Sequence, residues 1–315
     1  MKRHLEIQIA IVFSLFSVLF SSHAVFAQQT TEAVVAPAET QIVGGQVAER
    51  GEYPWQAMLF NPNGMFVCSG SLIRNNWVLT AAHCLDDAGI ARVTLGGYNA
   101  WDSSETTRQT FAVKSVIIHP EFNAVTLVND IGLIELDGNA TLNEYVQLIS
   151  LVNSQDINLV QPGTDAIVSG WGATQEGGWV SATLNEVTVP IVSHDVCAQA
   201  YGSQLQDGMV CAGYAEGGMD SCSGDSGGPL VVSDGADGWK LAGVVSWGRG
   251  CARADAYGVY TDPTFFGTWI AKHLGSHDNG QSGSNSSNSS DSSESKQQNE
   301  SQSLNLVFLP VVANQ

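Results

Sequence analysis

An all-β fold is predicted for residues 42–274 by three features of the sequence. Short apolar or alternating runs recur along this stretch, turn-forming Gly, Asn, Asp and Ser residues separate them, and only the last segment has a helical period. The runs lie at 55–60, 71–73, 77–80, 111–118, 131–136, 166–169, 230–232 and 241–246. Short strands spaced in this way are typical of sandwiches and barrels, and the runs alone leave both open.

The end of this stretch predicts a terminal helix. The residues that recur at the spacing of one helix face are Phe265, Phe266, Trp269, Ile270 and Leu274. We therefore expect a helix over residues 263–274 that packs its apolar face on the β-body.

The charge balance limits the classes of partner. The chain has 315 residues and a formal net charge of −19, from 12 basic and 31 acidic residues. Residues 42–274 contain 24 acidic and nine basic residues. Phosphate contacts require clustered Lys and Arg, so this balance excludes a general nucleic-acid binder. The surplus of carboxylates favours basic substrates through long-range steering.

A signal peptide is predicted over residues 1–27. Lys2 and Arg3 precede an apolar stretch at 9–20, and the segment 25–27, Val-Phe-Ala, supplies the small residues that a signal peptidase reads. The alternative is a membrane anchor, but the apolar run is shorter than the roughly 20 residues that span hydrocarbon. We therefore expect cleavage after Ala27, no stable membrane span, and a secreted protein, extracellular or periplasmic, whose cysteines can oxidise.

Three further segments are predicted to lie outside the folded body. Residues 28–41 lack aromatic side chains and are interpreted as a pro-segment. Residues 275–303 contain 12 Ser and no large apolar side chain, which predicts a disordered linker. The linker leads to an apolar tail, 304–315, interrupted by Pro310. A docking or sorting tail, an extra strand and a simple hydrophobic end all remain open for it.

The six cysteines are an even number, and their spacing lacks the paired Cys-x-x-Cys motifs of a zinc ribbon. Six cysteines in an exported protein allow fifteen disulfide pairings. The count therefore predicts disulfides without fixing their partners.

Three separated motifs carry candidate chemistry. They place His83 in Thr-Ala-Ala-His-Cys, Asp130 in Asn-Asp-Ile-Gly-Leu and Ser226 in Gly-Asp-Ser-Gly-Gly-Pro. Each motif alone has an ordinary explanation: a hydrogen-bonded core histidine, a turn aspartate, or a glycine-rich loop. Together, in the order His, Asp, Ser, they indicate nucleophilic catalysis, because a serine hydroxyl is a weak nucleophile until a base and an orienting acid reach it.

With these motifs the chain resembles the trypsin/chymotrypsin family of serine endopeptidases over residues 42–274. The resemblance implies two six-stranded antiparallel β-barrels, at about 42–150 and 151–262. It also implies that the active site lies between the barrels and that the C-terminal helix follows them.

The resemblance assigns roles to the motif residues. Ser226 would attack the scissile carbonyl, His83 would transfer the proton, and Asp130 would orient the imidazole. The backbone N–H groups of Gly224 and Ser226 would bind the developing oxyanion. The resemblance also selects one disulfide pairing: Cys68–Cys84, Cys197–Cys211 and Cys222–Cys251.

The resemblance further implies cleavage after Arg or Lys. Asp220, followed by Ser221, stands at the position that forms the floor of the primary pocket, and Gly248 and Gly258 stand at its walls. A buried carboxylate without a partner is costly, so it prefers a basic side chain of the substrate.

Other positions match the segments that bind the rest of the substrate. Ser246, Trp247 and Gly248 match the segment that binds the substrate backbone as an added strand, and Leu127 matches a neighbouring small subsite. Preferences beyond the residue before the scissile bond are not fixed by the sequence.

The start of the body predicts a zymogen. Ile42, followed by Val-Gly-Gly, matches the mature N-terminus of the family, where the freed amine pairs with the residue before the catalytic serine, here Asp225. Gln41 stands where many relatives have Arg or Lys. We therefore expect poor self-activation and a separate activating protease as partner. Protein inhibitors are further candidate partners.

No metal or cofactor is required by this hypothesis. Gly97 stands where calcium-binding relatives have an acid, which speaks against a calcium site of that kind. Tyr257, before Gly258, is the residue type with which relatives can bind sodium near the pocket. Sodium modulation is therefore a hypothesis of the resemblance.

Two other classes of protein are alternatives to the protease. A catalytically inactive protease-fold binding scaffold would usually have lost one of the motif residues, and all are present. An esterase of the α/β-hydrolase class would share the Gly-x-Ser-x-Gly pattern, here at 224–228, but would order its triad Ser, Asp, His and alternate strands with helices.

Overall fold

A computed structural model of the chain describes residues 42–86, 89–235 and 238–277, with the backbone alone at 276–277. The predicted signal peptide, the pro-segment, the linker from residue 278 onward and the apolar tail lie outside the described residues. Two closed six-stranded antiparallel barrels make up most of the described chain, which confirms the predicted architecture.

The first barrel is built from strands in the first half of the chain. The strands there are β1 (Gln46–Val47), β2 (Gln56–Phe60), β3 (Phe66–Arg74), β4 (Trp77–Thr80), β5 (Arg92–Leu95), β6 (Gln109–Ile118) and β7 (Gly132–Leu136). The closed order is β2-β3-β4-β7-β6-β5. Every residue of β2, β4 and β7 is buried, whereas β6 alternates between half-buried and exposed residues and so turns one face to water.

The second barrel is built from the remaining strands. They are β8 (Ser150–Leu151), β9 (Asp165–Gly170), β10 (Asn185–Val192), β11 (Met209–Ala212), β12 (Pro229–Ser233), β13 (Trp239–Trp247) and β14 (Gly258–Thr261). The order β10-β11-β14-β13-β12-β9 is closed by antiparallel pairing of β9 with β10. Buried apolar side chains of Val168, Val189, Leu230 and Tyr260 fill this barrel.

Two short strands do not follow the predicted division of the chain into barrels at residue 150. β1 pairs with β10, with Gln46 opposite Glu186, so the start of the body belongs to the second barrel rather than the first. Ile42 is fully buried in the second barrel's core, and burial of this apolar side chain explains the assignment. β8 pairs in parallel with β13.

In the part of the chain that the structure describes, three α-helices lie outside the barrels: α1 (His83–Asp86), α2 (His194–Tyr201) and α3 (Gly267–His277). α2 begins after Ser193, whose hydroxyl caps it by accepting from the Val196 N–H. Among the residues that the structure describes, none of the helices has both the length and the apolar character needed to cross a bilayer.

The terminal helix begins later than the sequence predicted. α3 begins at Gly267 rather than 263, because the preceding residues form a turn in which the Asp262 carboxylate accepts from the Thr264 N–H at 2.8 Å. Phe265 is consequently outside the helix and 56% exposed, so its predicted place on the apolar face was wrong. Phe266 is 4% exposed and packs edge-on against His119.

The two adjacent phenylalanines provide a test of how the helix is held. Phe266→Ala should lower the free energy of unfolding by about 3 kcal/mol, because it leaves a cavity under α3. Phe265→Ala should change it by less than about 0.5 kcal/mol, because the ring is largely in water. Urea unfolding followed by tryptophan fluorescence measures both variants. Equal losses would contradict the assignment of Phe266 as the residue that anchors the helix.

Candidate active site

His83 and Asp130 form a hydrogen-bonded pair at the junction of the two barrels. His83 Nδ1 lies 2.7 Å from Asp130 Oδ2, and the His83 backbone N–H donates to Asp130 Oδ1 at 2.9 Å. These two contacts fix both the position and the ring orientation of the histidine. Since Nδ1 faces an acceptor, the proton of the neutral imidazole is assigned to Nδ1, and Nε2 is left as the base.

The Asp130 carboxylate also receives a hydrogen bond from the second barrel. Its side chain is fully buried, and the Ser246 hydroxyl of β13 donates to Oδ2 at 2.5 Å. The Thr261 hydroxyl of β14 donates to the Asp130 carbonyl oxygen at 2.7 Å. With three donors on its carboxylate, Asp130 has the hydrogen bonds that a buried charge requires.

Ser226 lies on the turn before β12, against the first barrel. The Ser69 N–H donates to the Ser226 carbonyl oxygen at 2.8 Å, and a Cβ on Gly227 would collide with Thr80 Oγ1. Thr80 is three residues before His83, so this close approach brings the serine segment beside the histidine segment. The hydrogen bonds of the described residues include none between Ser226 Oγ and His83; such catalytic bonds often shorten only when substrate is bound.

Gly224 has a backbone conformation and surroundings that require glycine. Its φ is +104°, and Val180 Cγ1 would lie 2.7 Å from a Cβ at this position. Within the described chain, the N–H groups of Gly224 and Ser226 have no hydrogen-bond acceptor, whereas the N–H of Asp225 between them donates to Cys222 O. These two donors are therefore free to bind an oxygen in the cleft.

The six cysteines form three disulfides: Cys68–Cys84, Cys197–Cys211 and Cys222–Cys251. These are the pairs that the resemblance implied. The first joins β3 to the residue after His83, and the third joins two walls of the cavity beside Ser226. Closing loops of 14 to 29 residues stabilises the fold by about 3 kcal/mol per bond in the chain-entropy account.

A cavity of about 460 Å³ extends from Ser226 to Asp220. Its walls come from the segments 220–223, 245–248 and 250–251, with Gly258. The cavity is lined by exposed residues, such as Ser223 and Gly248, and by buried ones, such as Asp220 and Gly258. It can therefore receive one long side chain whose backbone lies at Ser226.

Asp220 lies at the inner end of this cavity with one oxygen unsatisfied. The residue is 4% exposed, and Oδ2 accepts from the Ala252 N–H at 3.0 Å. Oδ1 is buried and has no hydrogen-bond partner among the described residues. Burial raises the pKa of Asp220 to about 6, against the opposing hydrogen bonds from Ala252 and Ser221. A cationic donor in the cavity would complete this site.

The two glycines at the walls of the cavity differ in how much free space surrounds them. A Cβ on Gly258 would lie 2.9 Å from Asp220 Oδ1, so a side chain there would displace whatever binds the carboxylate. A Cβ on Gly248 would meet nothing closer than 3.5 Å. At that position only a side chain longer than alanine's would obstruct the cavity. Ser221 Oγ lies 3.5 Å from the hydroxyl of the buried Tyr260, below the cavity floor.

A second cavity of about 630 Å³ adjoins the first at Trp247. Leu127 lines it from the first barrel, together with neighbouring residues 125–128. Leu127 has a φ of +52°, an uncommon conformation for a leucine. Trp247, which lines both cavities, packs edge-on against Tyr201 with ring centroids 4.8 Å apart. The structure therefore places Leu127 and Trp247 together beside the primary cavity.

Asp225 is fully buried, and its burial raises its pKa to about 7 although the N–H groups of Cys222 and Gly172 donate to it. Gly170 and Gly172 approach so closely that a Cβ on either would collide with the carboxylate. Within the described ranges no cationic side chain pairs with Asp225. The carboxylate thus has hydrogen bonds but no counter-charge.

The one candidate group of metal ligands within the described residues is Cys68, His83 and Cys84. It cannot act as such, because both sulfurs are in a disulfide and only thiolates bind metals well. The loop that contains Gly97 is held by Glu105, which accepts hydrogen bonds from Arg50 and Arg108.

Tyr257, on which the sodium hypothesis rests, is 7% exposed. Its carbonyl oxygen accepts from the Tyr201 hydroxyl at 2.5 Å. Sodium modulation stays a prediction.

Some contacts of the site gave no signal in the sequence. Thr261 bonds the Asp130 backbone, the Ala252 N–H bonds Asp220, and Glu176 of the cavity rim forms a two-pronged ion pair with Arg253. Backbone donors have no residue signature, and the ion pair joins positions 77 residues apart. The pattern Gly-Trp-Gly at 170–172 was the one available hint of a close approach, here to Asp225.

A two-barrel β-protein with a buried carboxylate, a histidine and a half-buried serine on a turn at the barrel junction falls in the class of serine hydrolases. Comparison with known proteins narrows this class. Residues 42–270 match the family model described as Trypsin. The chain is 41% identical over 242 residues to Trypsin I-P1 of Gallus gallus, an alignment that covers 76% of this chain and 91% of that protein.

A second relative is Mannan-binding lectin serine protease 1 of Rattus norvegicus, which is 39% identical over 243 residues. That alignment covers 70% of this chain but 34% of the rat protein, so the chain spans about a third of that relative's length. The chain belongs to the trypsin family and is a trypsin-like serine endopeptidase, a hydrolase of peptide bonds.

Because Asp220 Oδ1 lacks a partner, replacing the carboxylate with a neutral side chain should raise the free energy of unfolding by an amount that depends on pH. Because the folded protein binds the Asp220 proton more tightly than the unfolded chain, its free energy of unfolding falls as the pH rises from about 4 to 6. Asp220→Asn removes this penalty, so it should stabilise the fold by up to about 3 kcal/mol at pH 8 and by almost nothing below pH 4. Urea unfolding at both pH values measures the difference.

Asp102 is the matched control for this experiment. Hydrogen bonds from the Ser104 hydroxyl and N–H lower its pKa, so Asp102→Asn should be slightly destabilising at pH 8 instead. A gain for Asp220→Asn that is equally large at pH 4 would show that packing, not charge burial, is responsible.

Proposed function

We propose that the chain is the precursor of a secreted endopeptidase that cleaves peptide bonds after Arg or Lys through an acyl-enzyme. The observation that carries this proposal is Asp220 Oδ1, a buried oxygen without a partner at the inner end of a cavity that begins at Ser226. An Arg or Lys side chain supplies both the missing donor and the missing positive charge, and a neutral side chain leaves the carboxylate uncompensated.

The catalytic steps follow from the arrangement of the junction. Ser226 Oγ forms a bond to the scissile carbonyl carbon while His83 Nε2 takes the hydroxyl proton. The negative oxygen accepts from the free N–H groups of Gly224 and Ser226, each such donor contributing about 3 kcal/mol. The C–N bond then breaks as His83 returns the proton to the leaving amine, and water repeats the sequence on the acyl-enzyme. Asp130 keeps the ring oriented and stabilises the imidazolium.

Activation would occur by cleavage between Gln41 and Ile42. The buried position of Ile42 and the lack of a counter-charge on Asp225 support this proposal, because a new α-amino group at residue 42 would bring a cation into the second barrel. The Val43 carbonyl oxygen already accepts from the Asp220 N–H at 3.2 Å, so the same segment contacts the primary cavity. Cleavage at this point thus couples to the substrate site.

Secretion is supported by the three disulfides, which persist in oxidising compartments, and by the predicted signal peptide. Extracellular and periplasmic locations fit equally. The partners proposed are polypeptide substrates with Arg or Lys, a separate activating protease and protein inhibitors that occupy the cleft.

The specificity proposal is tested with a series of peptide amides. The matured protein should hydrolyse Arg and Lys amides, and Asp220→Ser should lower kcat/KM for them by about 10⁴-fold because the basic side chain loses its carboxylate. Turnover of a Phe amide should change little in this variant. Steady-state kinetics on the three amides measures both effects.

Ser226→Ala is the control for that series, and it should lower turnover of every amide by about 10⁵- to 10⁶-fold. Turnover of Arg amides that survives in Ser226→Ala would overturn the mechanism. Equal turnover of Arg and Phe amides by the unsubstituted protein would overturn the specificity alone.

The residue before Ile42 predicts how the precursor matures. Gln is not a substrate residue for a protease with an acidic pocket, so the purified precursor should stay uncut, whereas Gln41→Arg should convert itself to a form that starts at Ile42. N-terminal sequencing over time measures the conversion. Gln41→Arg combined with Ser226→Ala should stay uncut as the matched control. Self-conversion of the unsubstituted precursor at a similar rate would refute the prediction.

A further inference from the structure

Basic side chains are scarce in this acidic protein, and most of those described are paired with carboxylates. Among the described residues, the cations with a carboxylate partner include Arg50, Arg108, Lys114, Lys240 and Arg253. Arg249 differs: it is exposed, and no carboxylate of the described residues pairs with it. It directly follows Gly248, which lines the primary cavity, although Arg249 itself is not among the lining residues.

The Arg249 guanidinium is nevertheless held in place. It lies over the ring of Tyr201, 5.0 Å from the centroid, and Nη2 donates to the Ala200 carbonyl oxygen at 3.0 Å. Tyr201 is itself 4% exposed and packs on Trp247. A cation–π contact and one hydrogen bond use only part of a guanidinium, which has five N–H donors. The remaining donors are thus preorganised over Tyr201, whose ring packs on Trp247, a residue that lines both cavities.

The position of Arg249 along the chain relates it to the substrate. A substrate strand paired antiparallel with 246–248 places its first residue, the Arg or Lys in the cavity, opposite Ser246, and each further residue back along the substrate advances about 3.3 Å. Gly248 then faces the third residue and Arg249 the fourth. The guanidinium is thus within reach of the third and fourth side chains.

We propose that Arg249 binds a carboxylate side chain of the substrate, an Asp or Glu at the third or fourth residue counted back from the scissile bond. This inference rests on the proposed cleavage after Arg or Lys. It runs against the overall field of the protein, whose surplus of acids attracts bases. At a separation of about 4 Å, the attraction between a guanidinium and a carboxylate outweighs the field of the distant acidic residues, which salt screens over about 8 Å.

The test compares tetrapeptide amides that end in Arg at the scissile bond and carry either Glu or Gln at the third or fourth residue. Glu and Gln have the same shape, so the kcat/KM ratio of each pair reports charge alone. At low salt the ratio should favour Glu about three- to fivefold at one of the two positions, as expected for an exposed ion pair with one fixed partner. It should fall toward one in 0.5 M NaCl.

Variants assign the effect to the side chain. Arg249→Gln should bring the ratio to one, and Arg249→Glu should reverse it to favour Gln. Arg92→Gln is the matched control, since Arg92 also lies over an aromatic ring, Phe60, but belongs to β5 of the first barrel. The control should keep the preference for Glu. Equal melting temperatures of the variants would confirm that the fold is intact.

The outcomes separate this inference from the function on which it rests. Turnover of Arg amides with no difference between Glu and Gln at either position would overturn the role of Arg249 alone. A preference for Glu that persists in Arg249→Gln would also overturn it. No turnover of any Arg amide by matured protein would overturn the proposed function and this inference together.

Discussion

The buried carboxylate of Asp130 is the contact on which the candidate site depends. It comes from the first barrel, holds His83 of the same barrel through two hydrogen bonds, and accepts a third from Ser246 of the second barrel. A buried charge with fewer donors would be costly, so any shift between the barrels that broke the Ser246 contact would be resisted. The hydrogen bonds that satisfy the aspartate therefore also fix the relative position of histidine and cleft.

Two other buried carboxylates lack a partner that Asp130 has. This difference distinguishes a charge that supports the structure from charges that await a binding partner. Asp130 is satisfied within the described chain, whereas Asp220 has an unpaired oxygen and Asp225 has no counter-charge. Burial raises the pKa of both incomplete groups, which lowers the stability of the fold at neutral pH. In the proposed function one of them is completed by the substrate and the other by the amine that cleavage creates at Ile42.

The sequence predicted most of the fold and the motif residues, for identifiable reasons. Apolar runs between turn residues predicted strands such as β4 and β13, because the pattern of such a strand lies within a few consecutive residues. β10 was harder to recognise, since it contains Pro190 and polar residues, and its place is set by pairing with β9, β11 and β1. The later start of α3 depends on a side-chain turn at Asp262. In the site, side-chain chemistry was predictable, but backbone donors such as Ala252 N–H were not.

The open cavity above Asp220 also affects how the protein responds to denaturants. Guanidinium is a small cation with the N–H donors that Asp220 Oδ1 lacks. In the proposed function it would bind in the cavity as a ligand of the native state, which opposes its own denaturing effect. Guanidinium and urea titrations would then extrapolate to different stabilities in water. Guanidinium chloride and urea are thus not interchangeable denaturants for a protein with this cavity.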